Sequence, residues 1–219
     1  MKFDPYQVPV LRTDEHLPAV SGAALRVESL RERINSSKPH AEPVAHQSPT
    51  ARALVAASVL IAIVQHPRPT VLLTQRSLHL SSHSGQIAFP GGKADAADAD
   101  AVATALREAQ EEIGLDPKRV RVLGALPVYP TNSSFLITPV VGSVEPGFVA
   151  TRHSPEVADV FEAPLDFLMN PAHHRHHVAD INGTKHEWLS MLYQDHQTER
   201  LIWGATAGML RNLYTLLCA

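Results

Sequence analysis

The rhythm of apolar and polar positions changes several times along the chain. Residues 1–20 are interrupted by Pro5, Pro9 and Pro18, and no period survives them. Residues 22–35 place Leu25, Val27, Leu30 and Ile34 at helical intervals with charges between them, which predicts a helix. Residues 36–50, with three prolines and several small polar side chains, read as a linker. A β-branched run ending at Val64, the turn QHPRPT and the apolar segment VLLTQR then predict a hairpin. Gln86–Lys93 reads as an apolar strand running into Pro-Gly-Gly. Residues 101–115 carry the strongest helical pattern, closed by Gly114 and Pro117. RVRVLGALPVY, FLITPVVGSV and HEWLSMLY follow as strands, and WGATAGMLRNLYTLL as a docked C-terminal helix. Strands flanking a central helix, with a second helix closing the chain, predict an α/β (α+β) fold. Its mixed β-sheet is sandwiched between helices in an α/β/α arrangement.

Composition narrows the class. The 219 residues fit one large domain, read as 51–219, preceded by an arm, helix and Pro-rich linker over 1–50. The arm is long enough to exchange a strand or helix between subunits of a homodimer. A net charge of −3 argues against a nucleic-acid partner. A single cysteine, Cys218, excludes an internal disulfide framework and fits a reducing compartment. The opening MKFDPYQVPV has acids and prolines where a signal peptide has an apolar run, and no stretch is long enough to span a bilayer. The expectation is a cytoplasmic protein acting on a small molecule, with no membrane partner.

Candidate chemistry concentrates in the helix over 101–115. Val102, Ala105, Leu106, Ala109 and Ile113 share one face, while Glu108, Glu111 and Glu112 share another. Like charges three and four residues apart destabilise a helix, and Arg107 is the only base among them. Several carboxylates on one face suit a hard divalent cation such as Mg²⁺, which takes one or two carboxylates plus substrate phosphate oxygens; a solvated acidic face is the plain alternative. Just upstream, Gly91 and Gly92 allow close approach of a ligand to the backbone, or simply a tight turn.

Gly92 through Leu115 resembles a Nudix box: Gly, five residues, Glu, seven residues, then Arg-Glu-aliphatic-x-Glu-Glu-x-Gly-aliphatic. The second half matches as Arg107-Glu108-Ala109-Gln110-Glu111-Glu112-Ile113-Gly114-Leu115. In the first half Asp98 stands where Glu is expected, and eight residues rather than seven separate it from Arg107. Upstream, Leu72-Leu73-Thr74-Gln75-Arg76-Ser77, Gly85 and Phe89-Pro90-Gly91-Gly92 resemble the signature of the coenzyme A pyrophosphatase branch, with Ser81 at the position that branch fills with a base.

The resemblance implies a Nudix fold and metal-dependent hydrolysis of coenzyme A or acyl-coenzyme A to 3′,5′-ADP and 4′-phosphopantetheine, with Mg²⁺ or Mn²⁺ as cofactor. Glu108, Glu112 and Glu111 are the implied metal ligands. Glu111, Glu112 and Arg107 are the catalytic candidates, and Arg76, Ser77, Gly85, Gln86, Phe89, Gly91 and Gly92 the substrate-binding ones. The general base is open between a box glutamate and Glu156. Arg107 either locks a glutamate or faces a phosphate, and Arg76 either meets a phosphate or bridges an acid. Two other functions stay open: a Nudix pyrophosphatase for another nucleoside diphosphate derivative, and a non-catalytic nucleotide-binding module. The run His173-His174-Arg175-His176-His177 reads as an exposed loop rather than a metal site, and Trp188 and Trp203 as core or substrate-edge anchors.

Overall fold

The computed structural model describes residues 4–36, 54–80, 83–181, 183–196 and 198–219. The linker over 37–50 and Ser81 lie outside the described residues. The order is β1 (Arg12–Thr13), α1 (Val27–Ser36), β2 (Val55–Val64), β3 (Thr70–Arg76), β4 (Ile87–Ala88), β5 (Gly91–Lys93), α2 (Ala101–Ile113), β6 (Val120–Ala125), β7 (Tyr129–Pro130) and β8 (Phe135–Val144). Then come β9 (Val157–Pro164), α3 (Leu165–Leu168), β10 (Arg175–Ile181), β11 (Thr184–Asp195), β12 (Thr198–Trp203) and α4 (Ala205–Cys218).

The large sheet is mixed, because β2 and β8 run parallel while its other pairs are antiparallel. Alternation along β2 explains how helices come to cover both faces. Leu60, Ala62 and Val64 point to α2, where they meet Ala105, Ala109 and Ile113. Val59, Ile61 and Ile63 point the other way, into a core shared with Leu30 and Ile34 of α1 and Leu210, Leu213 and Leu217 of α4. The expected sheet between helices is therefore present. A second sheet, ordered β1-β10-β11-β12, adds Met191 and Ile202 to that same core.

Two strand expectations need correction. Gln86–Lys93 is not one strand: Pro90 has no N–H to continue a ladder, so β4 pairs with β3 while β5 pairs with β2. RVRVLGALPVY likewise breaks into β6 and β7, after a register shift between Val122 and Gly124.

The histidine run is also not an exposed loop. His174 and His177 are buried, and the segment enters β10. Each ring is engaged structurally. His173 bonds the Phe167 carbonyl at 2.8 Å, His174 the Leu168 carbonyl at 2.8 Å, His176 the Asp14 carboxylate at 2.8 Å and His177 the Ser190 hydroxyl at 2.7 Å. Arg211 of α4 joins this group, reaching Asp14 at 2.9 Å and His174 at 3.1 Å. The segment before α1 is thereby tied to the core by the buried Asp14 carboxylate, which Arg12 at 2.7 Å, Arg211 and His176 all contact.

Candidate active site

The carboxylate helix is set by its caps. The Asp100 side chain accepts from the Ala103 amide at 2.8 Å, and Gly114, at φ 70, ends the helix while its N–H bonds the Ala109 and Gln110 carbonyls. The next segment returns across that end: Thr151 N–H donates to the Ile113 carbonyl at 3.2 Å and His153 N–H to the Glu112 carbonyl at 3.1 Å. That return brings Glu156 to the mouth of a cavity of about 1230 Å³, which Glu108, Glu111 and Glu112 also line.

Arg107 organises the cluster. Its guanidinium donates to both oxygens of Asp98 at 3.0 and 2.9 Å, to Glu108 at 2.9 Å, to Glu111 at 3.3 Å and to the Lys93 carbonyl at 3.0 Å. Of the two roles left open for Arg107, this geometry is that of a lock. Asp98, displaced by one residue in the sequence pattern, reaches the arginine nonetheless, and this fork holds its carboxyl well below the ordinary carboxylate range. Glu108 is pushed upward by burial, against the pull of Arg107. Glu112 is buried and is pushed up to about 7 by desolvation, with Glu108 adding to the rise and the Gly91 amide, 3.2 Å away, opposing it.

Gly91 is required by the sheet backbone, and Gly92 by the position of the Glu108 carboxylate. A Cβ on Gly92 would lie 2.6 Å from the Glu108 carboxylate, and one on Gly91 would lie 2.4 Å from the Ser58 carbonyl. The glycine pair lets β5 slide between α2 and β2. The polypeptide thus meets the cavity with bare backbone at the point where the carboxylates gather.

Among the described residues no three His, Cys, Asp or Glu side chains converge to hold an ion unaided. A small hard cation does not require that: one or two carboxylates, water and substrate phosphates suffice. Glu112, desolvated and with no cationic side chain bonded to it among the described residues, and Glu108 beside it offer the hard oxygens such an ion prefers, so the residues fit Mg²⁺ or Mn²⁺.

The structure gathers most sequence candidates and leaves two aside. Arg76, Gln86, Phe89, Gly91 and Gly92 line the cavity with the three box glutamates. Phe89 does so from within the core, at 2% exposure. Ser77 and Gly85 do not line it. The Ser77 amide bonds the Glu156 carbonyl at 2.7 Å, and Gly85, at φ 72, bonds the Arg76 carbonyl at 3.2 Å, so both shape the strand end that carries Arg76. Arg76 reaches Glu156 at 3.3 Å, while its buried Nε has no hydrogen-bond partner among the described residues. Sequence reasoning missed Lys93, Tyr129, Phe135 and His153, which also line the cavity. The turn Pro130-Thr131-Asn132-Ser133 between two aromatic residues was the available signal for Tyr129 and Phe135.

Residues 54–192 match the NUDIX domain family. The chain is 41% identical over 191 residues to a Nudix hydrolase NudL of Shigella flexneri serotype 5b, covering 86% of this chain and 89% of that protein. It is 45% identical over 160 residues to the NudL of Escherichia coli K12 / DH10B, covering 72% and 80%. Among solved structures, a MutT/nudix family protein from Enterococcus faecalis is 12% identical with a TM-score of 0.48, over 78% of this chain and 65% of that one. A C. elegans Ap4A hydrolase is 18% identical with a TM-score of 0.45, over 54% and 86%. With its box glutamates locked around one cavity and relatives of this identity along most of its length, the chain belongs to the Nudix hydrolases, enzymes that cleave nucleoside diphosphate derivatives and generally use divalent metal ions.

Proposed function

We propose that this protein hydrolyses the pyrophosphate bond of coenzyme A or acyl-coenzyme A, releasing 3′,5′-ADP and 4′-phosphopantetheine or its acyl derivative. The observation that carries this reading is the shape of the cleft: an acidic end against the bare Gly91–Gly92 backbone continues into an apolar chamber, which suits a diphosphate joined to bulky groups. The Leu72–Gly92 signature supports the coenzyme A branch.

In this scheme Glu108 and Glu112 would hold the divalent ion with the Gly91–Gly92 backbone close by, and Glu111 serves either as a further ligand or as the base. A bound ion supplies neutralisation of diphosphate charge and a more acidic water. Water adds to one phosphorus, the bridging oxygen leaves with the other phosphate, and the water's proton passes to a carboxylate. Glu111 and Glu156, exposed at the cavity, are the groups available to take it. Arg107 is a positioning residue that fixes the glutamate rotamers, and Arg76 lines the cavity and orients Glu156. The catalytic domain spans 51–219, and residues 1–50 are an appended arm with its helix packed on that domain. We place the reaction in the cytoplasm; no described helix is long and apolar enough to cross a membrane.

The test is a product analysis. The protein is incubated with coenzyme A, ADP-ribose, NADH and a nucleoside triphosphate in Mg²⁺ or Mn²⁺, and products are identified by mass. Release of 3′,5′-ADP from coenzyme A is expected. Cleavage of another substrate in its place assigns the protein to a different nucleoside diphosphate derivative, and cleavage of none makes it a binding module.

A further inference from the structure

The cavity passes through the large sheet's end rather than lying on one side of it. In the register of β2 with β5, Ser58 faces Gly92, and that side meets Glu108 of α2. Ala57 faces Lys93 and Val59 faces Gly91, and that side belongs to the α4 core. The carboxylates therefore stand on one face and a second chamber on the other, separated by the bare glycine backbone. Ile137, Met209 and Tyr129 line the chamber, and the second sheet closes it with Trp188 and Trp203. These tryptophans share one face of that sheet, because Trp188 pairs with His177, and Trp203 pairs with Ser190, two residues beyond Trp188. Trp188 is fixed there by His177, which stacks on it at 5.4 Å and 9°.

Lys93 stands at the rim where the two halves meet. Its ammonium lies 5.9 Å from the centre of the Phe135 ring, and no carboxylate among the described residues pairs with it. The cavity's other permanent cation, Arg76, is already bonded to Glu156. An uncommitted cation beside an aromatic chamber is charge-complementary to a planar base carrying an extra anionic group. An acyl or pantetheine arm has no such group to offer it.

We propose that this chamber holds the nucleoside half of the substrate, with the base against Trp203 and Lys93 paired with a phosphate on the ribose. This assignment rests on the coenzyme A reading.

Binding by the metal-free full-length chain tests it without turnover. Calorimetric titration with 3′,5′-ADP, 5′-AMP and 4′-phosphopantetheine is expected to show 3′,5′-ADP binding about ten-fold or more tighter than 5′-AMP, the worth of one charge-assisted contact. Lys93→Gln, a surface change that leaves the core intact, brings the two within about three-fold of each other, and Lys93→Arg restores the gap. Trp203→Leu weakens both nucleotides by about ten-fold, as loss of a stacking surface does. Equal affinities in the wild type, or discrimination that survives in Lys93→Gln, overturns the proposal. So does phosphopantetheine binding more tightly than 3′,5′-ADP and losing affinity in Trp203→Leu, which places the other half of the substrate in the chamber. Selective binding of 3′,5′-ADP by a chain that cleaves a different diphosphate sinks the reaction and leaves this site standing; coenzyme A cleavage without that selectivity does the reverse.

Discussion

Adding one methyl group to either of two adjacent glycines separates folding from chemistry. In Gly91→Ala the new Cβ lies 2.4 Å from the Ser58 carbonyl oxygen and 2.6 Å from the Val59 Cα. Both belong to β2, which is pinned between β5 and β8, so the overlap of about 1 Å is relieved only by moving sheet backbone. Overpacking of this kind costs about 1–3 kcal/mol, which for a chain this long lowers Tm by about 3–10 °C. In Gly92→Ala the Cβ also lies too close, 2.6 Å, but to the carboxylate of Glu108, the far end of a flexible side chain. That carboxylate swings away at little cost, because Arg107 keeps its fork on Asp98. The stability change stays under about 1 kcal/mol, while a displacement of about 1 Å at this proposed metal ligand lowers kcat/KM by about 100-fold. Thermal unfolding and kcat/KM with Mg²⁺, measured on both variants, check the pair. Gly92→Ala turnover within about three-fold of wild type, or a Tm as low as that of Gly91→Ala, refutes the reasoning.

Glu112→Gln is expected to abolish turnover with the fold intact, and a circular-dichroism spectrum beside an activity assay checks it. Because burial raises this carboxyl to about 7 from 4.5, the metal-free protein binds the extra proton when folded and loses up to about 3 kcal/mol as pH rises from 4.5 to 7. That slope should be absent in the glutamine variant. His174 acts in the opposite sense: burial lowers it from 6.5 to about 4, so stability held above pH 6.5 falls by up to about 3 kcal/mol as pH drops to 4. Denaturant unfolding of His174→Gln across that window should show a flatter acid limb. Asp98→Ala frees one side of Arg107 and is expected to lower kcat about ten-fold with KM nearly unchanged, read from steady-state kinetics; an equal rise in KM would make Asp98 a substrate contact instead.

Local chemistry was readable directly from the chain. The helix over 101–113, its two faces and its Gly114 stop follow from a 3.6-residue period and a residue that accepts positive φ, neither of which needs a partner element. The grouping of Glu108, Glu111 and Glu112 is a consequence of the same period. What the period cannot supply is distance through space. Asp98 is off by one residue in the pattern, yet the loop before α2 curls back on itself, with the Asp95 amide on the Asp98 carboxylate at 2.9 Å, and delivers that carboxylate to Arg107. Glu156 reaches the cleft because its segment caps the end of α2. The histidine run reads as polar and exposed until β1 and Arg211 of α4 cover it. Most of all, the chamber behind the glycines is assembled from β5, β8, β11, β12 and α4, segments scattered from residue 91 to the C-terminus. The sequence by itself determined the carboxylate helix, the hairpin before it and which side chains carry charge on a shared face. Only the tertiary structure decided which faces meet, because packing two sheets against one core joins residues whose separation along the chain carries no local signal.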